Sequence, residues 1–452
     1  MSNVARAAVL ASIFHFLFAC ARLQGYALCY WFNAKGTILR FIGRIWWLDA
    51  NWSIPMPLGD RTTGDALHFV LLSWARDKYD TKGITPSKAL YADEVLKQTG
   101  NDVLELAGAA VDHLIGSIQD EDRRAIGVHA MVILLLARQK LMQRSFIAQN
   151  TLDLIVRASK RAVRSRFGIC DQLSGTAVAS SCTYLETCMR GGDGVSSVAR
   201  AFEAGFLSCF LAGFDATTHQ EYLDLFKNRL STYLVHLPVV RSAAKAFKKI
   251  KKAEIERRMS RRGPLWEAWV AFKKTLEERI EVAGETVHLI CGSRMCNRID
   301  FTDDCLRYCV GCMDKAYCSA ECQRQDWKTD GHRKLCKEMR WRRIENHEIE
   351  LSDENRAFMD KVIAHDRIAN MPTAFEIIHQ TRQFALEFDY TMFPLKVLPV
   401  RGEVIEKPGY TIFQVKVPVG GYSYTFQIEV LVPQDVADSL RSGNLNPVFG
   451  LP

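Results

Sequence analysis

Apolar residues recur at helical spacing through most of the first half of the chain. In "GDALHFVLLSWARDKYD" they fall three and four positions apart, which gives a 3.6-residue helix one apolar stripe and one polar face. "TPSKALYADEVLKQTG" predicts a second helix with its ends marked: Thr85 caps it, Pro86 fits the first turn and Gly100 stops it. "DEDRRAIGVHAMVILLLARQKL" is apolar nearly all round from Ala125 to Ala137, so it predicts a helix buried between neighbours. "NTLDLIVRASKRAV", "SVARAFEAGFLSCFLAGF" and "QEYLDLFKNRLSTYLVHL" continue the series on short polar or glycine connectors. Successive helices without strand patterns between them predict a helical bundle or an α-solenoid-like array over residues 1–237. Such arrays serve as scaffolds or peptide-binding surfaces.

The pattern changes beyond Pro238. Residues 238–285 read as a basic helical connector, in which Arg241, Lys245, Lys248 and Lys252 lie three or four apart while Ala244, Phe247 and Ile250 can face inward. A solvated helix face is the expectation. The alternative is a nuclear-import or nucleic-acid patch built from the basic clusters Lys248 to Lys252 and Arg257 to Arg262. Within residues 341–452, "LSDENRAFMDKVIAHDRIAN" and "PTAFEIIHQTRQFALEFDY" predict two helices starting at Ser352 and Pro372. The period then drops to two on either side of Gly420-Gly421 in "YTIFQVKVPVGGYSYTFQIEVLV", which predicts a β-hairpin. Tyr424, Phe426, Ile428 and Val430 would share one face, with Thr425, Gln427 and Glu429 on the other. The fold class is therefore mostly α, with a small α+β C-terminal region.

Composition bounds this picture. A chain of 452 residues with 48% hydrophobic and 24% charged residues has room for two or three domains and for a sizeable core. A net charge of +8 is mild; it favours acidic partners without arguing for nucleic acid by itself. "AAVLASIFHFLFAC", between Arg6 and Arg22, is too short to span a bilayer comfortably. A core helix is expected there, with a targeting or membrane-associated segment as the alternative. No other stretch approaches a transmembrane span, so a membrane partner is not expected.

Cysteine changes the picture more than charge does. Of 14 cysteines, eight fall between Cys291 and Cys336. Clustering inside a large and otherwise ordinary chain points to a metal in a reducing compartment, cytoplasmic or nuclear, rather than to a disulfide scaffold. The ligand candidates are Cys291, Cys296, Cys309, Cys312, Cys318, Cys322, His332 and Cys336. Zinc takes four soft or borderline ligands in a tetrahedron, so these candidates make two sites. Cys305 falls outside the pairing and is expected to be a free thiol, with a substitute ligand as the alternative. His288, close to Cys291, is expected on the surface or in a core, with an alternate ligand as the other reading.

The order of the ligands, with the histidine seventh, and the run "YCS…CQ..DW" resemble the MYND zinc finger. Tyr317, Ser319, Gln323, Asp326 and Trp327 carry the likeness beside the ligands, over about a tenth of the chain. The resemblance implies interleaved sites, with Cys291, Cys296, Cys318 and Cys322 holding one zinc and Cys309, Cys312, His332 and Cys336 the other. It also implies a protein-interaction module for extended, proline-containing peptides, with Gln323 and Trp327 at the contact positions. From the residues alone, "SAECQRQDWK" predicts a short helix capped by Ser319 that puts Gln323 and Trp327 on one face. The alternative is that Trp327 completes a minimal core.

Four protein ligands per site leave no position for water, so both zincs read as structural. Seven thiolates around two zinc ions carry a formal charge of roughly −3, which Arg294, Arg298, Arg307, Lys315 and Arg324 would offset. No Ser-His-Asp set, phosphate-binding glycine loop or paired-carboxylate motif stands out, and no small-molecule substrate is evident. The expectation is a non-enzymatic, zinc-binding interaction protein, with a finger at 286–340 beside a helical scaffold. Two alternatives stand against it. A SET-type MYND lysine methyltransferase would need an Asn-His pair followed by cysteine, and "ENHEIE" supplies Asn346-His347 without the cysteine. A DNA-binding regulator would use the basic run at 241–262 and bind with strong salt dependence.

Overall fold

The structure is a computed structural model that describes residues 96, 102–163, 172–191, 193–213, 220–252, 255–258, 263–284, 291–293, 296, 307–309, 311–312, 315–329, 331–345, 353–381, 385–400, 410–420 and 423–431. The N-terminal apolar run, the helices expected before residue 101, most of the Arg257 to Arg262 cluster, His288, Arg294, Arg298, Cys305 and Asn346-His347 lie outside the described residues. Within them the chain is mostly helical, with a small four-stranded sheet towards the C-terminus. No single described helix is long and apolar enough to cross a membrane.

The described residues divide into two compact units. In the first, α1 (Val103–Gln119), α2 (Arg123–Leu136), α3 (Lys140–Ala148), α4 (Thr151–Val163) and α5 (Gln172–Gly191) follow one another on short turns. Their ends obey local chemistry. The Asp102 carboxylate caps α1 by accepting the Glu105 N–H at 2.9 Å, and Gln139 caps α3 by accepting that of Met142 at 2.7 Å. The all-round apolar pattern of α2 gives a helix with Ile126, Ala130, Val132, Ile133 and Leu136 all buried. The α4 stripe buries Leu152, Ile155, Val156 and Ala162. Small hydroxyls let α4 and α5 approach: Ser159 Oγ donates to the Ala177 carbonyl at 2.7 Å and Ser181 Oγ meets Ser159 Oγ at 2.6 Å. The segment "SVARAFEAGFLSCFLAGF" is two helices, α6 (Gly194–Ala204) and α7 (Phe206–Gly213). They break at Gly205, whose φ of +105° is left-handed and favours glycine.

In the second unit α8 (Gln220–Asp224) runs into a π-turn at Leu225–Leu230 and a 3-10 turn at Ser231–Val235, before α9 (Leu237–Lys252). The short α10 (Ile255–Arg258) belongs to the first unit, and the long α11 (Pro264–Gly284) to the second. Phe226, Phe247, Trp269 and Phe272 form a buried aromatic cluster, with Phe226 and Phe272 centroids 5.1 Å apart. Ala244, Phe247 and Ile250 of α9 are buried and Lys248 is exposed, as its spacing predicts. Arg241 departs from the expected solvated face. It is buried, and its guanidinium lies 2.6 Å from Glu354.

Two further expectations are corrected. The helices predicted at Ser352 and Pro372 are one helix, α14 (Asp353–Thr381; α12 and α13 belong to the finger), with Pro372 inside it. Proline removes one hydrogen bond, to the carbonyl four residues back, and that residue, Ile368, is 60% exposed, so water can take the bond's place. "ALEFD", read as helical, is strand β3 (Ala385–Asp389; β1 and β2 belong to the finger). β3 is central in a sheet of order β4-β3-β5-β6, between antiparallel β4 (Lys396–Pro399) and parallel β5 (Tyr410–Pro418). A strand with both faces covered loses its alternation, which is why the period misled. The hairpin of β5 with β6 (Ser423–Leu431) forms as predicted, with Val415 opposite Phe426 and Phe413 opposite Ile428.

Buried polar contacts tie this unit together. His236 is fully buried; its Nε2 lies 2.6 Å from the Pro418 carbonyl and its Nδ1 3.3 Å from the Asn355 amide nitrogen. Burial pulls its pKa down to about 4, so the ring is neutral at ordinary pH and donates to Pro418 through Nε2–H. Arg279 grips Asp366 through two bonds of 2.9 and 2.6 Å, and the Tyr390 hydroxyl donates to the same carboxylate at 3.0 Å.

Candidate metal centre

The finger is assembled from turns, each of which aims sulfur inward. Cys291 and Cys296 flank a turn closed by the Cys296 N–H to the Ser293 carbonyl at 3.1 Å. Strands β1 (Arg307–Tyr308) and β2 (Ala316–Tyr317) pair antiparallel, and the chain between them carries Cys309 and Cys312. The Cys309 N–H donates to the Lys315 carbonyl at 2.8 Å and closes that knuckle. Gly311 is required there: a Cβ at this position would sit 2.5 Å from Cys336 Sγ. Helix α12 (Ala320–Lys328) begins at Ser319, whose hydroxyl accepts the Cys322 N–H at 3.2 Å, the cap that the sequence predicts. Gly331, with φ +80°, turns the chain into α13 (His332–Glu345), which presents His332 and Cys336 one turn apart.

The eight candidate ligands come together in two groups. One holds Cys291, Cys296, Cys318 and Cys322; the other holds Cys309, Cys312, His332 and Cys336, and in each group the donor atoms lie within 4.8 Å of one another. Gaps along the chain thus interleave: the first group reaches around the knuckle that begins the second. The second group is wholly buried, whereas only Cys291 of the first is.

The geometry fits a tetrahedral ion. Metal–sulfur bonds of about 2.3 Å imply tetrahedron edges of about 3.8 Å between sulfurs, and about 3.6 Å between sulfur and an imidazole nitrogen. The Sγ separations are 3.7 Å for Cys296 and Cys318, 3.5 Å for Cys318 and Cys322 and 3.7 Å for Cys309 and Cys336. His332 Nε2 lies 3.8 Å from Cys312 Sγ. Four donors at these spacings would match the coordination sphere of one tetrahedral ion.

Among themselves the thiols ionise unevenly. Burial, and then the neighbouring Cys322 and Cys296 thiols, push Cys318 up to about 12, and burial raises Cys291. The Cys312 side chain, hydrogen-bonded to Cys309, holds that group down to about 4. A divalent ion compensates the thiolate charge that such crowding otherwise resists.

His332 is completely buried, and its ring is met edge-on by Tyr317 at 5.8 Å and Trp327 at 5.6 Å between centroids. With Nε2 turned to the sulfurs, Nδ1 points the other way and lies 3.9 Å from Asp326 Oδ2. Asp326 is itself fully buried, accepts a short hydrogen bond from the Tyr317 hydroxyl, and is 3.0 Å from Lys315 Nζ. Burial and this acidic neighbour raise the Tyr317 pKa well above its ordinary value, so it stays a donor. The sequence placed Asp326 in the motif without a role. Its position six residues before His332, on the helix that carries Cys322, was the available signal.

Two cations expected to offset the cluster charge are engaged elsewhere. Lys315 pairs with Asp326, and Arg324 pairs with Glu321 on the exposed side of α12. Trp327 is half-buried and packs against the cysteine cluster, and Gln323, one turn earlier on α12, is half-buried too. The packing role of Trp327 is therefore present, with part of the ring left to solvent.

No curated protein and no solved structure matches the chain. The ligand order, the interleaving and the capped helix converge on one small family: residues 291–336 match the MYND finger, and this part of the chain is one.

Proposed function

We propose that the chain is a non-enzymatic interaction protein of the reducing cytoplasm or nucleus. Its finger holds two structural zinc ions and docks an extended, proline-containing peptide, and its helical region serves as a scaffold. The observation that carries this reading is the helix α12 itself. Cys322 fixes it to one metal group, and the half-exposed Trp327 ring and Gln323 amide share one of its faces. A flat ring beside an amide suits such a peptide: the ring stacks on the proline and the amide hydrogen-bonds its backbone. Four protein ligands at each group support a structural rather than a catalytic metal. Burial of Arg241 against Glu354 takes one cation out of the basic run and weakens the nucleic-acid alternative.

The test is a binding titration of the full chain against an array of extended proline-containing peptides. Trp327→Ala is expected to weaken the best binder at least tenfold with zinc content unchanged, and Gln323→Ala to weaken it less. Binding that survives Trp327→Ala, or an array with no binder, would overturn the docking role.

A further inference from the structure

We infer that Asp326 is a positioning residue for one metal site only, the group of Cys309, Cys312, His332 and Cys336, and that it tightens metal binding there. The inference rests on the two-zinc reading of the finger and goes beyond it. Imidazole binds a metal best when its other nitrogen is held by an acceptor, because this fixes the tautomer and ring orientation and raises the basicity of the ligating nitrogen. His332 Nδ1 is buried and makes no hydrogen bond, yet it faces Asp326 Oδ2 at 3.9 Å. A buried N–H left without an acceptor is costly, so the ring and the carboxylate have reason to close the remaining distance.

Asp326 is built for this task. It has no exposure, and it is held from two sides by Lys315 Nζ and the Tyr317 hydroxyl. Tyr317 and Lys315 both approach Oδ2, the oxygen that faces His332. They anchor the carboxylate and also compete for it. Removing the Tyr317 hydroxyl therefore frees the acceptor, whereas removing the carboxylate charge weakens it. That opposition separates a positioning role from a merely structural one. The four-cysteine group has no imidazole to orient, so a change at Asp326 should pass it by.

The experiment uses the full chain, loaded with zinc and titrated with a chromophoric chelator to resolve the two affinities. A parallel cobalt titration reads each site separately, because three sulfurs with one nitrogen and four sulfurs give different d–d spectra. Asp326→Asn is expected to weaken the histidine-containing site by about 10- to 100-fold, to shift its cobalt bands, and to leave the four-sulfur bands unchanged. Tyr317→Phe, which keeps the ring, is expected to leave that site within about threefold of the parent or to tighten it. Equal weakening of both sites by both variants would mean a structural role and overturn the inference, as would an Asp326→Asn chain with unchanged affinities. A parent chain that holds no metal would overturn the two-zinc reading as well, which distinguishes the two failures.

Discussion

The finger and the helices around Trp269, both within the second unit, solve the same problem by different means. Those helices surround large rings with large rings, and Phe226, Phe247 and Phe272 exclude water without any metal. The buried cluster of the finger contains Cys291, Cys309, Cys312, Tyr317 and Cys336, with Trp327 partly covering it. Four of those five are ligand candidates, so the finger's interior is largely its metal sites. One region is held by apolar area, the other by coordination. A perturbation aimed at either should leave the other standing.

The largest expected effect is metal removal. Structural zinc contributes on the order of 10–16 kcal/mol in finger peptides, far more than one tyrosine and a half-covered tryptophan supply. Chelation is expected to abolish the dispersion of the finger's NMR signals while the far-ultraviolet circular dichroism keeps most of its helical signal. A proportionate loss of helix throughout the chain would contradict the division.

The converse break lies outside the finger. Arg279→Met would leave Asp366 buried with the Tyr390 hydroxyl and the His365 ring but without its arginine, and removing one partner of a buried pair costs about 3–5 kcal/mol. Denaturant unfolding should show that loss, with zinc content unchanged.

A third prediction concerns pH. The His236 pKa is depressed from 6.5 to about 4 by burial, so the unfolded chain binds the extra proton first as pH falls. The stability it contributes is complete above pH 6.5, declines below that and is gone near pH 4. A depression of this size corresponds to about 3 kcal/mol. His236→Gln should flatten that part of the stability profile, as followed by thermal unfolding between pH 4 and 7. Acid also protonates the thiolates of the finger, so the comparison is made on the unfolding of the helical signal.

Smaller effects sharpen the finger's side. Gly311→Ala places a methyl against Cys336 Sγ and is expected to loosen the histidine-containing site while the four-cysteine site keeps its ion, as read by chelator competition. Ser319→Ala removes the cap of α12 and should cost about 1 kcal/mol, seen as a lower chelator concentration at half-release.

The same contrast explains what the sequence made legible. Metal ligands are few residue types at short spacings, so the eight positions and their interleaved grouping could be read through the resemblance, and the Ser319 cap could be read from the residues directly. Amphipathic and all-apolar helices were equally visible, as α2 and α4 illustrate. Features that depend on distant partners were not. β3 looked helical because both its faces are covered, and Pro372 looked like a boundary because local rules cannot see an exposed face that tolerates it. Arg241 looked solvated because Glu354 lies more than a hundred residues away. Asp326 is the instructive case: its presence in the motif was plain, but its role depends on His332, Tyr317 and Lys315 meeting around it.

The account rests on two interleaved metal sites, and the most direct measurement is zinc per full chain by elemental analysis after exhaustive dialysis, on the parent and on Cys322→Ser and His332→Ala. The prediction is two zincs in the parent and one in each variant, with the surviving cobalt spectrum of the three-sulfur type in the first variant and the four-sulfur type in the second. One zinc or none in the parent, or the same site lost in both variants, would contradict it.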